Sequence, residues 1–192
     1  MRTCCQVPGL SVLEHGLQVE ATFNRMLVSL HDLACGPGED PLGSNQDVFK
    51  WPAALAENAQ AFMARLLPAE DLALYQRYHD CGKPLVRVID EEGRAHFPDH
   101  ARASAAQWLD CGGSPEIAGL IEADMFFHTC SAQECDEFAK DPRAASLWLT
   151  ALAEIHANAK MFGGRESSSF KMKFKQLDRR GRALLKRWSS TL

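Results

Sequence analysis

The sequence predicts a mostly helical protein with one small β-hairpin. Apolar residues recur at helical spacing, most clearly Val12, Val19, Phe23, Met26, Leu27 and Leu30. Start and stop residues cut the chain into segments of ordinary helix length, with Ser11, Pro52 and Ser114-Pro115 at starts and Gly36-Pro37-Gly38, Pro68 and Gly112-Gly113 at stops. A β-branched run followed by a turn occurs once, after residue 84.

Each element has a local cause. Residues 12–33 read as a helix, with Ser11 as N-cap and Glu14 at the capping-box position. Gly36-Pro37-Gly38 ends it, and a polar loop follows to about Phe49. Residues 51–67 form a second helix with Pro52 near its first turn. Pro68 breaks the chain, and residues 69–80 form a third helix that stops at Gly82-Lys83-Pro84. Residues 85–89 and 94–97 are the strands of the hairpin, and Asp90-Glu91-Glu92-Gly93 is its turn. Pro98 opens a helix over 99–109, and Ser114-Pro115-Glu116 starts another that carries Ile117, Leu120 and Ile121 on to His128. Residues 142–162 are helical as far as Gly163-Gly164, and Ser167-Ser168-Ser169 leads into a basic terminal helix.

Composition narrows the class. The 192 residues are 46% hydrophobic with a net charge of −4, which excludes general disorder and fits one domain over 1–192. No stretch has the apolar length of a membrane span, and the start, Met1-Arg-Thr-Cys-Cys-Gln-Val-Pro, lacks the apolar core of a signal peptide, so a cytoplasmic protein is expected. The cysteines at 4, 5, 35, 81, 111, 130 and 135 include no CxxC pair, and they signal neither a disulfide frame nor a cysteine zinc site. Charge is uneven. From residue 160 onward ten Lys and Arg face only Glu166 and Asp178, a balance of +8, which leaves −12 on the residues before it. A basic tail on an acidic body suggests a phosphate-bearing partner; a solvated amphipathic helix gives the same count.

The chemistry centres on His79-Asp80. Neighbouring helical residues point about 100° apart, so an imidazole and a carboxylate in sequence share a metal only at a helix end or a distorted turn. Gly82-Lys83-Pro84 supplies such an end. Imidazole beside carboxylate suits first-row divalent metals, with Mg and Mn favouring the oxygen.

His79-Asp80-Cys-Gly-Lys83-Pro84 resembles the signature of the HD-domain metal-dependent phosphohydrolases. Ser11-Val-Leu-Glu-His15-Gly-Leu-Gln-Val19 is similar to the first-helix histidine motif of that superfamily. Phe97-Pro-Asp-His100-Ala-Arg-Ala-Ser104 is similar to its histidine after the small hairpin. Ala123-Asp124-Met-Phe-Phe-His128-Thr129 resembles the next segment in the HD domains of tRNA nucleotidyltransferases and RNA-repair enzymes. The likeness covers residues 11–162 and leaves 163–192 as a basic extension.

The resemblance implies an HD-domain helical bundle holding one or two divalent ions (Mn, Mg, Ni, Co, Fe or Zn). By position His15, His79 and Asp80 would bind the first, and Asp80 would bridge to a second held by His100 and Asp124. Asp124 stands where the family usually has a histidine, and His128, four residues on, shares its helix face. The family's last ligand is commonly an aspartate; Glu154 or His156 stands in that region, so Asp124 and His156 could have exchanged residue types. Asp80 would be ligand and general base, Lys83 would reach the phosphate, and Arg102 is a further phosphate contact.

Other histidines read more simply. His31-Asp32 lacks Gly-Lys and reads as helix C-terminal capping, while His96 reads as exposed or substrate-facing. Ser169-Phe170-Lys171-Met-Lys173-Phe174-Lys175 alternates, so an extended chain would put its lysines on one face for a nucleotide or RNA end. Packing of Phe170 and Phe174 on the core is the competing reading. The expected function is hydrolysis of a phosphorylated small molecule, a nucleotide, a 2′,3′-cyclic phosphate or an RNA end, with no membrane partner. The alternatives are an HD-fold di-iron oxygenase, against which the missing sixth ligand counts, and a non-catalytic nucleotide- or RNA-binding module.

Overall fold

The structure is a computed structural model that describes residues 1–7, 9–36 and 49–189. The element order is β1 (Cys5–Val7), β2 (Leu10–Ser11), α1 (Val12–Cys35), α2 (Ala53–Glu57), α3 (Ala59–Met63), α4 (Ala69–Tyr78), α5 (Lys83–Val86), β3 (Val88–Ile89), β4 (Ala95–His96), α6 (His100–Asp110), α7 (Pro115–Glu122), α8 (Phe126–Thr129), α9 (Ala132–Phe138), α10 (Ala144–Ala157) and α11 (Ser168–Ser189). The fold is all-α with two two-stranded antiparallel ribbons, β1-β2 and β3-β4. Among the described residues no helix is long and apolar enough to cross a membrane. The chain divides into two compact units, Met1–Glu20 with Pro68–Phe126, and Ala21–Leu67 with Phe127–Leu192.

In the first unit the chain enters α1 through a capping box. Glu14 N–H donates to Ser11 Oγ at 3.2 Å, and Ser11 N–H donates to Glu14 Oε2 at 2.9 Å. Helix α7 starts on the Ser114 side chain, which accepts from Ile117 N–H, with Pro115 at its first position. It buries Ile117, Ala118, Leu120 and Ile121 and packs on α4 and α6. Each of the Ile and Leu side chains contributes about 1.5–3 kcal/mol on burial. Two glycines permit close backbone approach. A Cβ on Gly16 would meet the Arg77 carbonyl, and a Cβ on Gly82 would meet the backbone of Ala103 and Ser104. Arg77 also forks onto Glu20 at 2.7 and 2.9 Å.

In the second unit α10 is apolar nearly all round and nearly wholly buried, as a central helix must be. Trp148 is fully buried, donates through Nε1 to Leu177 O at 3.0 Å and lies over Gly181, which leaves no room for a Cβ. Helix α11 buries Phe170, Phe174, Leu177, Leu184, Leu185 and Trp188 along one face. Arg180 is buried on that helix and donates to the carbonyls of Cys130, Phe127 and His128 at 2.7, 3.0 and 3.2 Å. It thereby satisfies acceptors at the C-terminal end of α8. A second capping box, Ser131 with Glu134, starts α9, and Cys130 and Cys135 meet beside it, Sγ to Sγ 2.7 Å.

Several expectations need correction. The helix over 51–67 is two short helices, because Asn58 leaves the α region and its side chain takes the Ala54 carbonyl at 2.8 Å. Residues 83–86 form a helical turn, so the strand shortens to Val88–Ile89. The helix from 114 to 128 stops at Glu122 and restarts at Phe126, and the one over 142–162 ends at Ala157. The alternating segment from Ser169 is helical, so Lys173 points away from Lys171 and Lys175, and Phe170 and Phe174 are buried as the competing reading has them. Helix α9 and the ribbon β1-β2 have no counterpart in the sequence reading. His31 and Asp32 are exposed near the end of α1; most of the expected polar loop, 37–48, lies outside the described residues.

Candidate metal centre

The site belongs to the first unit and is built at helix ends. Helix α1 carries His15 in its second turn, with no exposed surface. Helix α4 closes at Tyr78, and the chain turns tightly, Cys81 N–H to Tyr78 O at 2.9 Å and Lys83 N–H to Asp80 O at 3.0 Å. Those turns let consecutive side chains, His79 and Asp80, face one point. Gly82 N–H donates to the buried Ser104 Oγ at 2.8 Å, which fixes the turn against α6. His100 opens α6 behind Asp99, whose backbone is left-handed at φ 54°.

Three imidazoles surround one carboxylate. Asp80 Oδ2 lies 3.3 Å from His79 Nε2 and 3.7 Å from His15 Nε2, and Oδ1 lies 3.5 Å from His100 Nε2. These separations exceed a good hydrogen bond. They match two ligands that share an ion about 2.1 Å from each, which stand about 3.4 Å apart in a tetrahedron. His79 Nδ1 donates to Gln76 O at 2.7 Å and His100 Nδ1 to Phe97 O at 3.0 Å. With Nδ1–H so engaged, each neutral ring keeps its lone pair on Nε2, toward Asp80. Asp80 Oδ1 is buried and accepts no hydrogen bond among the described residues. His15, His79 and Asp80, with ligand atoms within 4.8 Å of one another, form a buried group that can hold a metal ion.

Lys83 completes the charge arrangement. Its Nζ lies 2.6 Å from Asp80 Oδ2, and both side chains are buried. Burial alone would raise the Asp80 carboxyl, but His79, Lys83 and His15 outweigh it and hold the group well below the usual carboxylate range. Lys83 thus bonds Asp80 directly and lies over the Phe97 ring.

Asp124 stands outside the close group. The break at residues 123–125 turns it inward, where it accepts from Tyr75 O–H at 2.5 Å, and the Tyr75 ring lies edge-on to His79. That break also overturns the shared face with His128, which lies on the separate helix α8 and in the second unit. There His128 Nε2 meets Glu154 Oε2 at 2.8 Å. His156 is buried between Phe49 and Phe170 and donates through Nε2 to Lys50 O at 3.3 Å. Burial lowers its pKa to about 4, so at neutral pH it is an uncharged core residue.

The proposed phosphate contacts divide as well. Arg102 is exposed on α6. Lys171 is exposed and paired with Glu166 at 2.8 Å, and Lys173 lies over the Phe162 ring. His96 is exposed and bound to Asp90 at 2.6 Å, which with Arg94 lowers the Asp90 carboxyl to about 2. Sequence reasoning missed Tyr75, Ser104 and Gly16. Only Gly16 carried a signal, because a glycine inside a helix is penalised by about 1 kcal/mol and needs a packing reason. No protein-family model, curated protein or solved structure matches the chain.

Proposed function

We propose that the chain is a divalent-metal-dependent phosphohydrolase acting on a nucleotide, a 2′,3′-cyclic phosphate or an RNA end. The observation that supports this best is the gathering of His15, His79, His100 and Lys83 on the buried Asp80 carboxylate. An ion held there supplies hydroxide near neutral pH and neutralises phosphoryl charge. His15, His79 and Asp80 would hold it, with His100 as a further donor. Three nitrogens and one oxygen favour Mn, Fe, Co, Ni or Zn over Mg. Because Asp124 is engaged by Tyr75 outside the close group, one ion is favoured over two.

Asp80 in this reading is ligand and proton acceptor, and Lys83 keeps it ionised before substrate arrives. Lys83 can then turn its ammonium to a phosphoryl oxygen, as a point charge does. Arg102, exposed two positions past His100, is the outer anion contact.

The test is metal analysis of the purified protein, then a phosphoester panel with Mn, Mg, Ni, Co, Fe and Zn, on the native chain and on Asp80→Asn. Loss of turnover with unchanged helical circular dichroism is expected; unchanged turnover overturns the proposal. Bound iron with oxygen uptake would indicate the oxygenase. Ligand binding without turnover on any phosphoester would indicate the binding module.

A further inference from the structure

Helix α11 settles which cations of the basic tail act together. Lys171, Lys175, Arg179, Arg182 and Lys186 follow one another at intervals of four, four, three and four residues, and all five are exposed. At about 100° per residue they fall within an arc of about 80°, opposite the buried face of Phe170, Leu177, Leu184 and Trp188. The row is straight, about 22 Å long, with a cation every 4.5–6 Å or so. Carboxylates beside the row include Glu166, paired with Lys171, and Asp178, 3.3 Å from Arg182. Lys173, Arg180 and Arg187 are not in it. Lys173 lies over Phe162, Arg180 is committed to three backbone carbonyls, and Arg187 points about 120° from the row's centre.

We propose that this row binds the phosphate backbone of a duplex nucleic acid without reading its sequence. The proposal does not rest on the hydrolase reading: no residue of the row belongs to the metal group, and Lys171, the one residue the two readings share, is left unchanged in the test. One strand of a duplex presents a phosphate every 3.4 Å or so along its axis, so the row spans about six of them. Three features choose this occupant. A single strand is held by base stacking as well as charge, and the aromatic residues of α11, Phe170, Phe174 and Trp188, are buried. A membrane surface takes the apolar face of an amphipathic helix, and that face of α11 is used up in its own unit. A regular polyanion, finally, matches a regular row of cations by charge complementarity.

The experiment is fluorescence anisotropy of the full chain with labelled DNA and RNA duplexes of about 20 base pairs and unrelated sequences, from about 50 to 200 mM salt. Competitors are a single strand of equal length, phosphatidylserine vesicles and polyglutamate. Binding should fall with salt with a log–log slope between about −2.7 and −4.5, as three to five neutralised phosphates require. The triple variant Lys175→Gln, Arg179→Gln, Lys186→Gln should weaken binding about tenfold or more at low salt and reduce the slope by about 2.7. Its melting temperature should stay that of the native chain, because all three side chains are exposed. No binding at low salt, an unchanged slope in the variant, or tighter binding by any competitor overturns the proposal.

Discussion

Lys83 Nζ lies 2.6 Å from Asp80 Oδ2 with both side chains buried, so the lysine neutralises the aspartate directly. A metal ion and this ammonium therefore compete for the same carboxylate. Lys83→Met should destabilise the metal-free protein by about 3 kcal/mol, because it leaves a buried charge without its cation. A bound ion would replace that cation, so added Mn or Zn should raise the melting temperature of the variant more than that of the native chain. Thermal melts with and without metal check both parts. An equal metal-induced gain in the two proteins would separate Lys83 from the metal group.

Gly82 has an ordinary backbone, φ −84°, so its requirement is space alone. In Gly82→Ala the added Cβ runs into the backbone of Ala103 and Ser104, and neither can yield as a side chain would. The expected loss is about 3 kcal/mol or more, together with loss of metal binding. Gly112 offers the contrast: it has φ +82° and open space around it, so Gly112→Ala should cost only about 1 kcal/mol of backbone strain. Urea unfolding of the two variants distinguishes a steric from a conformational glycine.

Arg180 holds three carbonyls from within the core, and a planar fork does this where an ammonium does not. Arg180→Lys should lose about 2–4 kcal/mol despite keeping the charge. Arg182→Lys, exposed on the same helix, should change stability by less than about 0.5 kcal/mol. Denaturant midpoints of the pair give the comparison.

His156 makes stability depend on pH. Its folded pKa, lowered by burial to about 4, lies below the unfolded value of about 6.5. Between these the unfolded chain binds the extra proton, so stability falls as pH drops from about 6.5 to about 4 and levels off below. The contribution is at most about 3 kcal/mol, present in full above pH 6.5. His156→Gln should flatten this part of the curve in unfolding free energies measured across pH.

What could be read in the sequence was local. The Ser11–Glu14 capping box, the helix end at His79-Asp80 and the hairpin after it follow from neighbouring residues, and the structure has all three. The box Ser131–Glu134 was equally visible and went unused, which is why α9 was missed. Tertiary effects were beyond reach. The break before Phe126 accompanies Asp124 turning to Tyr75, a residue remote in sequence. The alternating lysines left an extended and a helical reading open, and the spacing of Phe170, Phe174, Leu177 and Leu184 along one buried face makes the segment a helix. At the metal centre the four clustered residues His15, His79, Asp80 and His100 lay in quotable motifs. The carbonyls of Gln76 and Phe97 that orient two of the rings did not.

The ligand group takes His15 from one side of residues 21–67 and His79 with Asp80 from the other. The chain must close that whole intervening stretch before the three donors can meet, an entropic cost that no local contact repays. A metal able to use this arrangement would find it only in folded chains, so its capture would be coupled to folding. Metal uptake followed in time after dilution from denaturant would then report when residues far apart in sequence come together.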